Sequence, residues 1–524
     1  MLDDNTKYKM AIKNLLIATS AILLLACSSV NTPDVVAEQY RGEAYSNARI
    51  ATYAIPGGYP DEFDAAFAVA IGGHYTAVYN DKNHWDGSIN FCNFDIAEGG
   101  RHRVKITYVK PITEFEILPA SSDIKARQTS PYTLELKISK PDTYLTIIIN
   151  GNYNGDALHL FANAMDNEPL CEGYSFDAER KTHRFGAGYY HLDEWNGVFT
   201  LKDNEQMYIA GGAVLDGQVR IVKGRGSRIY GRGIVMNRDE QGRRTNRIVV
   251  ETLSTTDGTI EGITIFGRRA PGWVCTISNS HRCKYRNVKI ISTRYASTDG
   301  LDVNICSDLL CQNMFIRSCD DAVAIKGLGS KKPADCKPNK NLTFERMQLW
   351  NDCNNAFGMG AETHASAYEN ITLRQSHILY SYDDPNHHET LDERSAMNIC
   401  SLQGTYFRNI LFEDIVVNRC ERLIGLCFKD SFWFGSLPGD QSTEGSMEGI
   451  TFRNISSPNS SGSKIANQIR MEAWDKSEPI KPIRNITFDN VTIGGKPLRS
   501  TAEAYFSINH NSTPCIENIH FLEQ

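Results

Sequence analysis

Through the second half of the chain a short alternating unit keeps returning: Asn or Gly, an apolar residue, a polar one, another apolar one. It reads EGITIFG, RNVKIIS, QNMFIRS, KNLTFER, ENITLRQ, RNILFED, EGITFRN, RNITFDN and ENIHFLE. The leading apolar positions are Ile263, Val288, Met314, Leu342, Ile371, Ile410, Ile450, Ile486 and Ile519, spaced by 25 to 40 residues. Alternation with a period of two predicts strands that bury one face. A recurring short strand at variable spacing predicts parallel β-coils stacked on one another, with insertions leaving as loops. A leucine-rich repeat needs a shorter, Leu-based period, and a propeller needs four strands per unit; neither fits. The Asn column (Asn287, Asn313, Asn341, Asn370, Asn409, Asn485, Asn518) marks a turn position repeated from coil to coil. Several of these residues match N-x-T, which we read as a by-product of the turn and not as glycosylation.

Upstream, residues 44–165 carry the segments HYTAVYN, RHRVKITYV, YTLELKI and YLTIIINGN, separated by Gly, Asp, Asn and Pro. These are strand signals at sandwich-like spacing. The expectation is an all-β chain: a small N-terminal β-sandwich over 44–165, then a parallel β-solenoid over 186–524. The sandwich shows no catalytic cluster, which suits it to support or carbohydrate contact.

Composition narrows the function classes. The 524 residues are 41% hydrophobic and 22% charged with a net charge of −7, and no Lys/Arg cluster points to nucleic acid. The N-terminus is more telling. MAIKNLLIATSAILLLACSS (10–29) has a basic start and an apolar run too short to span a bilayer, ending in Leu24-Leu25-Ala26-Cys27. This resembles a bacterial lipoprotein signal covering 1–27, with lipidation at Cys27 and a linker over 28–43. Asp3 and Asp4 point to Met10 as the start of that signal. The expected location is beyond the inner membrane, periplasmic or on the outer membrane, with the membrane contacted only through a lipid anchor, and the expected state is a monomer. Thirteen cysteines remain after Cys27, without Cys-x-x-Cys pairs or zinc spacing, so no metal or cofactor is expected. Cys275, Cys283, Cys306, Cys319 and Cys400 sit in apolar strands and read as small buried hydrophobes. Cys336 and Cys353 flank a loop and form the one candidate disulfide.

Stacking turns sequence spacing into distance, because neighbouring coils lie roughly 4.8 Å apart. STDGLDVNI (297–305) precedes CDDAVAIKG (319–327) by one coil. Matching Val303 and Ile305 to Val323 and Ile325 brings Asp299 beside Asp320. One coil further, Phe357 and Met359 of NNAFGMGAE fall on the same pair, placing Asn354 and Asn355 next to Asp320 and Asp321. Three carboxylates thus converge with no cation in view to neutralise them, which holds their pKa values apart. One stays protonated as an acid while the others hold a water, as in an inverting glycosidase, where the carboxyls are roughly 6.5–9.5 Å apart. Calcium binding is the rival use of clustered Asp.

These motifs resemble glycoside hydrolase family 28, the polygalacturonases, in which Asn-Thr-Asp-Gly, Asp-Asp, Gly-His-Gly and Arg-x-Lys follow one another on a right-handed parallel β-helix. Here the first appears as Ser297-Thr298-Asp299-Gly300 and the second as Asp320-Asp321. The sandwich, followed by GVFTLKDNEQMYIAGGAVLDGQV, is similar to family 49 dextranases. The resemblance implies Asp320 as general acid, with Asp299 and Asp321 positioning and deprotonating the water. Asn355 stands where the family has His, and Asn398-Ile399-Cys400 where it has Arg-x-Lys. Asn354, Asn355, Lys326, Asp302, Tyr295 and Asn398 are therefore the expected substrate contacts. Arg268, Arg269, Arg294 and Arg394 are further candidates for an anionic group, Trp273, Tyr295 and Trp350 for stacking on sugars, and His387 and His388 for a polar insertion beside the cleft.

The expected function is an inverting glycoside hydrolase acting on a plant or algal polysaccharide or oligosaccharide. Two alternatives stand beside it. One is a β-helical polysaccharide lyase with Ca²⁺ on the aspartates and a Lys or Arg base, which the lack of a basic residue at the corner disfavours. The other is a non-catalytic glycan-binding β-helix.

Overall fold

The computed structural model describes residues 32–522 apart from 61–64, 86, 238–247, 269–271, 331–334, 383–393, 432–437, 460–467, 504 and 509–514. The signal segment with Cys27, and Arg269, His387 and His388, lie outside the described residues.

Two sheets face each other in the N-terminal part. One runs Tyr45–Ser46, Ile50–Thr52, Ser88–Ile96, Ala157–Ala164, Thr143–Ile149, Phe115–Leu118, with Tyr79–Lys82 also paired to Ser88–Ile96. The other runs His74–Thr76, Phe67–Ile71, His102–Tyr108, Thr133–Ile138, Arg127–Ser130. In HRVKITY the alternation is plain: Val104 and Ile106 are buried while Arg103 and Lys105 face water. Phe67, Phe94, Ile106, Leu136, Leu145 and Leu160 fill the space between the sheets. Of the stretch 28–43, expected as a linker, the described residues 32–43 are instead docked. Its helix Thr32–Gln39 buries Val36, and the backbone of Tyr40, Arg41 and Glu43 hydrogen-bonds to Val78, Ile55 and Tyr75.

The rest of the described chain winds into parallel ladders. One ladder stacks eleven described strands, including Cys275–Ser278, Leu301–Asn304, Val323–Leu328, Phe357–His364 and Met397–Ser401. Two further ladders merge in long strands such as Ala367–Ser381 and Tyr406–Val417. Inward residues (Leu301, Val323, Phe357, Met397, Ile424) form one continuous core along the axis.

The recurring Asn residues all sit at φ between 50° and 56°, the left-handed turn conformation that Asn tolerates better than other side chains. They form two columns where the sequence suggested one. Asn313 donates to Asn287 (2.8 Å), whereas Asn341, Asn370 and Asn409 form a separate chain, Asn370 donating to Asn341 (3.0 Å) and Asn409 to Asn370 (2.6 Å). Correspondingly, Leu342 pairs with Ile371 and Leu309, not with Met314. Both corners of each coil use the same turn, so one sequence unit matches either.

The outer face of the first sandwich sheet packs on the solenoid. Phe91, Tyr144 and Phe161 meet Phe266, Phe315, Trp350 and Tyr380. Asn93 donates to Thr264 (3.0 Å), and Arg317 lies 3.4 Å from His159. This settles two residues. Trp350, expected as a sugar platform, is fully buried against Tyr153 and Arg317. Arg268, expected to face an anionic group, is buried with its Nε 3.5 Å from Asp81.

Candidate active site

The corner preceding each strand of the eleven-strand ladder carries the polar column. Leu301 and Val303 pair with Val323 and Ile325, which pair in turn with Phe357 and Met359. The second of these registers is the expected one; the first is displaced by two residues, a shift that keeps every side chain on its own face. Asp299 is consequently level with Asp321, a relation fixed by Gly300 N–H donating to Asp321 O (2.8 Å). Ala322 N–H donates to Asn355 O (2.9 Å), so Asn355 is level with Asp321 and Asn354 with Asp320. Phe357 N–H donates to Ala396 O (3.0 Å), and the row continues to Ser395 and Arg394.

One carboxylate oxygen from each of Asp299, Asp320 and Asp321 lies within 4.8 Å of the other two. These are the nearest oxygens of each carboxyl, close enough for two of them to share a single water. Asn354 Nδ2 donates to Asp320 Oδ1 (2.8 Å), and Asn355 donates to Asp321 Oδ1 from both its backbone and its side chain (2.9 Å each). Asn355 Oδ1 accepts from Ser395 N–H (2.8 Å), which fixes the amide's orientation.

The expectation of a corner without cations is overturned. Lys326 reaches back from the strand Val323–Leu328 and places Nζ 3.0 Å from Asp299 Oδ2, 3.4 Å from Asp302 Oδ1 and 3.8 Å from Glu362 Oε2. Its ammonium also lies 4.3 Å from the centre of the half-buried Trp273 ring. Lys326 is thus a counter-ion of the carboxylates. The second cation is Arg394, largely buried and within electrostatic reach of Asp320 and Asp321.

Burial and Asp299's charge push Asp320 up to about 6, partly opposed by Asn354 and Lys326. Burial, then the charges of Asp320 and Asp299, hold Asp321 well above the usual carboxylate range, and burial with Asp299 does the same for Asp302. Burial alone would lower Lys326, but Asp299, Asp302 and Glu362 outweigh it and keep the ammonium firmly protonated. Burial lowers Arg394, against the pull of Cys353 and Asp320.

The other expected contacts divide. Asp302 is buried beneath Lys326 and points its carboxylate at that ammonium. Tyr295 is half-buried in the turn leading to Asp299, with the Arg294 guanidinium 5.3 Å from its ring. Asn398 is buried within its strand, level with Gly358, with its side chain next to that of Ser395. The Cys336–Cys353 disulfide does not form. Ser330 N–H donates to Cys336 Sγ (3.0 Å) in the inserted loop, while Cys353 stacks on Cys319 with the sulfurs 3.6 Å apart. Arg394, named as a candidate for an anionic group, is placed at the corner because the Gly358–Asn398 register extended back four positions lands on it, level with Asn354; Glu362 was missed.

No family model matches the chain, and no curated protein does. Among solved structures, Dex49A from Penicillium minioluteum superposes with a TM-score of 0.60 at 12% identity, covering 91% of this chain and 100% of that one. The fold is a right-handed parallel β-helix behind a β-sandwich. A family 28 exopolygalacturonase from Yersinia enterocolitica scores 0.45 at 12% identity over 84% of this chain and 98% of that one. A hyperthermoactive exopolygalacturonase from Thermotoga maritima scores 0.45 at 15% identity over 66% and 85%. At 12% identity the likeness to Dex49A is one of β-helix architecture, so the chemistry is argued from the corner itself.

Proposed function

We propose that the protein is a glycoside hydrolase that cleaves a plant or algal polysaccharide or oligosaccharide by direct, inverting displacement. The observation that carries this is the convergence of three carboxylates with oxygens within 4.8 Å of one another, one of them paired to a buried ammonium and another held by Asn354. Asp320 is protonated at mildly acidic pH and donates its proton to the leaving glycosidic oxygen. Asp299 and Asp321 bracket a water between oxygens no more than 4.8 Å apart; as that water attacks the anomeric carbon from the opposite face, Asp299, paired to Lys326, takes its proton. Lys326 limits the mutual repulsion of the acids. Asn354 and Asn355 hold Asp320 and Asp321 in place. Where a polygalacturonase presents Arg-x-Lys to a uronate, Arg394 is the cation that this corner offers an anionic sugar.

Proton NMR of fresh product tests the mechanism: an inverted anomer is expected, and retention refutes it. A panel of pectic, algal and neutral glycans, scored for new reducing ends, identifies the substrate.

Arg394 also favours a second reading, a lyase in which an arginine beside an aspartate cluster abstracts a proton. Ultraviolet absorbance from an unsaturated product, lost on chelation, would establish it. Export and lipid anchoring at Cys27 complete the proposal, and Cys27→Ser should release the protein from the membrane fraction.

A further inference from the structure

Directly behind the carboxylate row lies a second cluster that the proposed hydrolysis does not use. Cys319 and Cys353 occupy equivalent positions on successive coils, one residue before Asp320 and Asn354, with their sulfurs 3.6 Å apart. The third member comes from the sandwich. His84 sits in the loop between Tyr79–Lys82 and Ser88–Ile96, which is tied to the solenoid by Thr293 Oγ1 donating to Lys82 O (3.2 Å). One ring nitrogen of His84 and the two sulfurs all lie within 4.8 Å of one another. His84 is exposed, Cys353 half-buried and Cys319 buried, so the cluster opens to solvent on its histidine side.

From these three residues we infer a binding site for a thiophilic d¹⁰ cation of the Zn²⁺ class. Two sulfurs at about 2.3 Å from a tetrahedral ion are separated by roughly 3.8 Å, close to the spacing seen here, whereas a disulfide requires about 2.05 Å. Two thiols and one imidazole make a three-ligand set that leaves a fourth position open, and soft sulfur donors select Zn²⁺ over Ca²⁺ or Mg²⁺. On binding, the two thiols become thiolates and release two protons to solvent, while the imidazole coordinates as the neutral base. Because His84 belongs to the sandwich and the cysteines to the solenoid, the ion clamps the two together one residue behind Asp320.

The test uses the full chain, reduced and stripped with chelator, titrated with Zn²⁺ or Cd²⁺ alone. One equivalent is expected to bind, with Cd²⁺ producing the ultraviolet thiolate-to-metal charge-transfer band. His84→Ala, at an exposed position where folding is not at risk, should weaken Zn²⁺ binding at least tenfold. Cys319→Ser/Cys353→Ser should abolish the band. Titration without the band, affinity unchanged in His84→Ala, or protein that persistently isolates two mass units light with the pair joined as a disulfide would each overturn the assignment.

Discussion

Two kinds of polar column run up the same solenoid, and they differ in what stacking does to them. In the asparagine columns each amide is both donor and acceptor, so Asn409 serves Asn370 and Asn370 serves Asn341 without outside help. Stacking satisfies them and the turn they occupy. At the ladder corner the stacked groups are carboxylates, which only accept when ionised and which repel one another. That row persists with Lys326 wedged against Asp299 and Asp302, Arg394 near its far end, and Asn354 and Asn355 as donors. Repetition of a turn explains the amides. It does not explain three clustered acids, two of them buried and Asp320 half-buried, which destabilise the fold they sit in and therefore point to chemistry.

The largest effect should come from Asp320→Asn. We expect kcat to fall roughly 10²–10⁴-fold, the range of lost general acid catalysis, with circular dichroism unchanged. Activity within tenfold of wild type would remove Asp320 as the acid and make the two columns alike. In the wild type, kcat should decline as pH rises through about 6, where Asp320 loses its proton. Stability carries the same signature. An Asp of folded pKa about 6 and unfolded pKa about 3.9 contributes stability fully present below the unfolded value and lost as pH rises through the folded one. Asp320→Asn should therefore raise the melting temperature at pH 8 and leave it unchanged at pH 3.5.

Removing the counter-ion comes next. Lys326→Met leaves Asp299 and Asp302 facing no ammonium, at a cost of about 3–5 kcal/mol in urea unfolding at pH 7. The cost should shrink at pH 5, because the burial-raised carboxyls of Asp321 and Asp302 take up protons. A pH-independent loss would mean that Lys326 acts by packing on Trp273 and not by charge.

The smallest effect belongs to the amide column. Asn409→Ala keeps the β-carbon at φ 54° without the amide that makes this turn tolerable for Asn, and cuts the link to Asn370, for about 1 kcal/mol. Asn409→Gly should recover the backbone part. Equal losses for Ala and Gly would show that the side-chain chain, and not the turn, holds the column.

The solenoid was legible because its strands alternate and its turns favour one residue type. The register from Val323 to Phe357 followed from matching apolar pairs, and with it the approach of Asn354 and Asn355 to the aspartates. The Asp299 register was displaced by two because LDVNI contains more alternating positions than the strand uses, and Ile305 lies beyond it in a left-handed turn. The single Asn column became two because both corners share one turn chemistry. The pairing of Lys326 with Asp299 and Asp302 was not legible, since sequence gives a residue's face and not the reach of a four-carbon side chain. His84 and Trp350 were beyond reach of pattern reading, because their surroundings are set by how the sandwich docks on the solenoid.

The row Asp299, Asp321, Asn355, Ser395 takes one residue from each of four coils, at sequence intervals of 22, 34 and 40. The intervals vary because insertions between the strands of each coil leave as loop, while backbone hydrogen bonds keep the rungs level. Mutational history can therefore act on the corner one position at a time. Replacing Asn355 with a histidine, or Asn398 and Cys400 with an arginine and a lysine, rewrites a single coil and leaves its neighbours to be inherited intact. A loop inserted between coils can reshape the approach to the row without disturbing it. Such a scaffold separates what is reached from what reacts, and lets selection work on each without undoing the other.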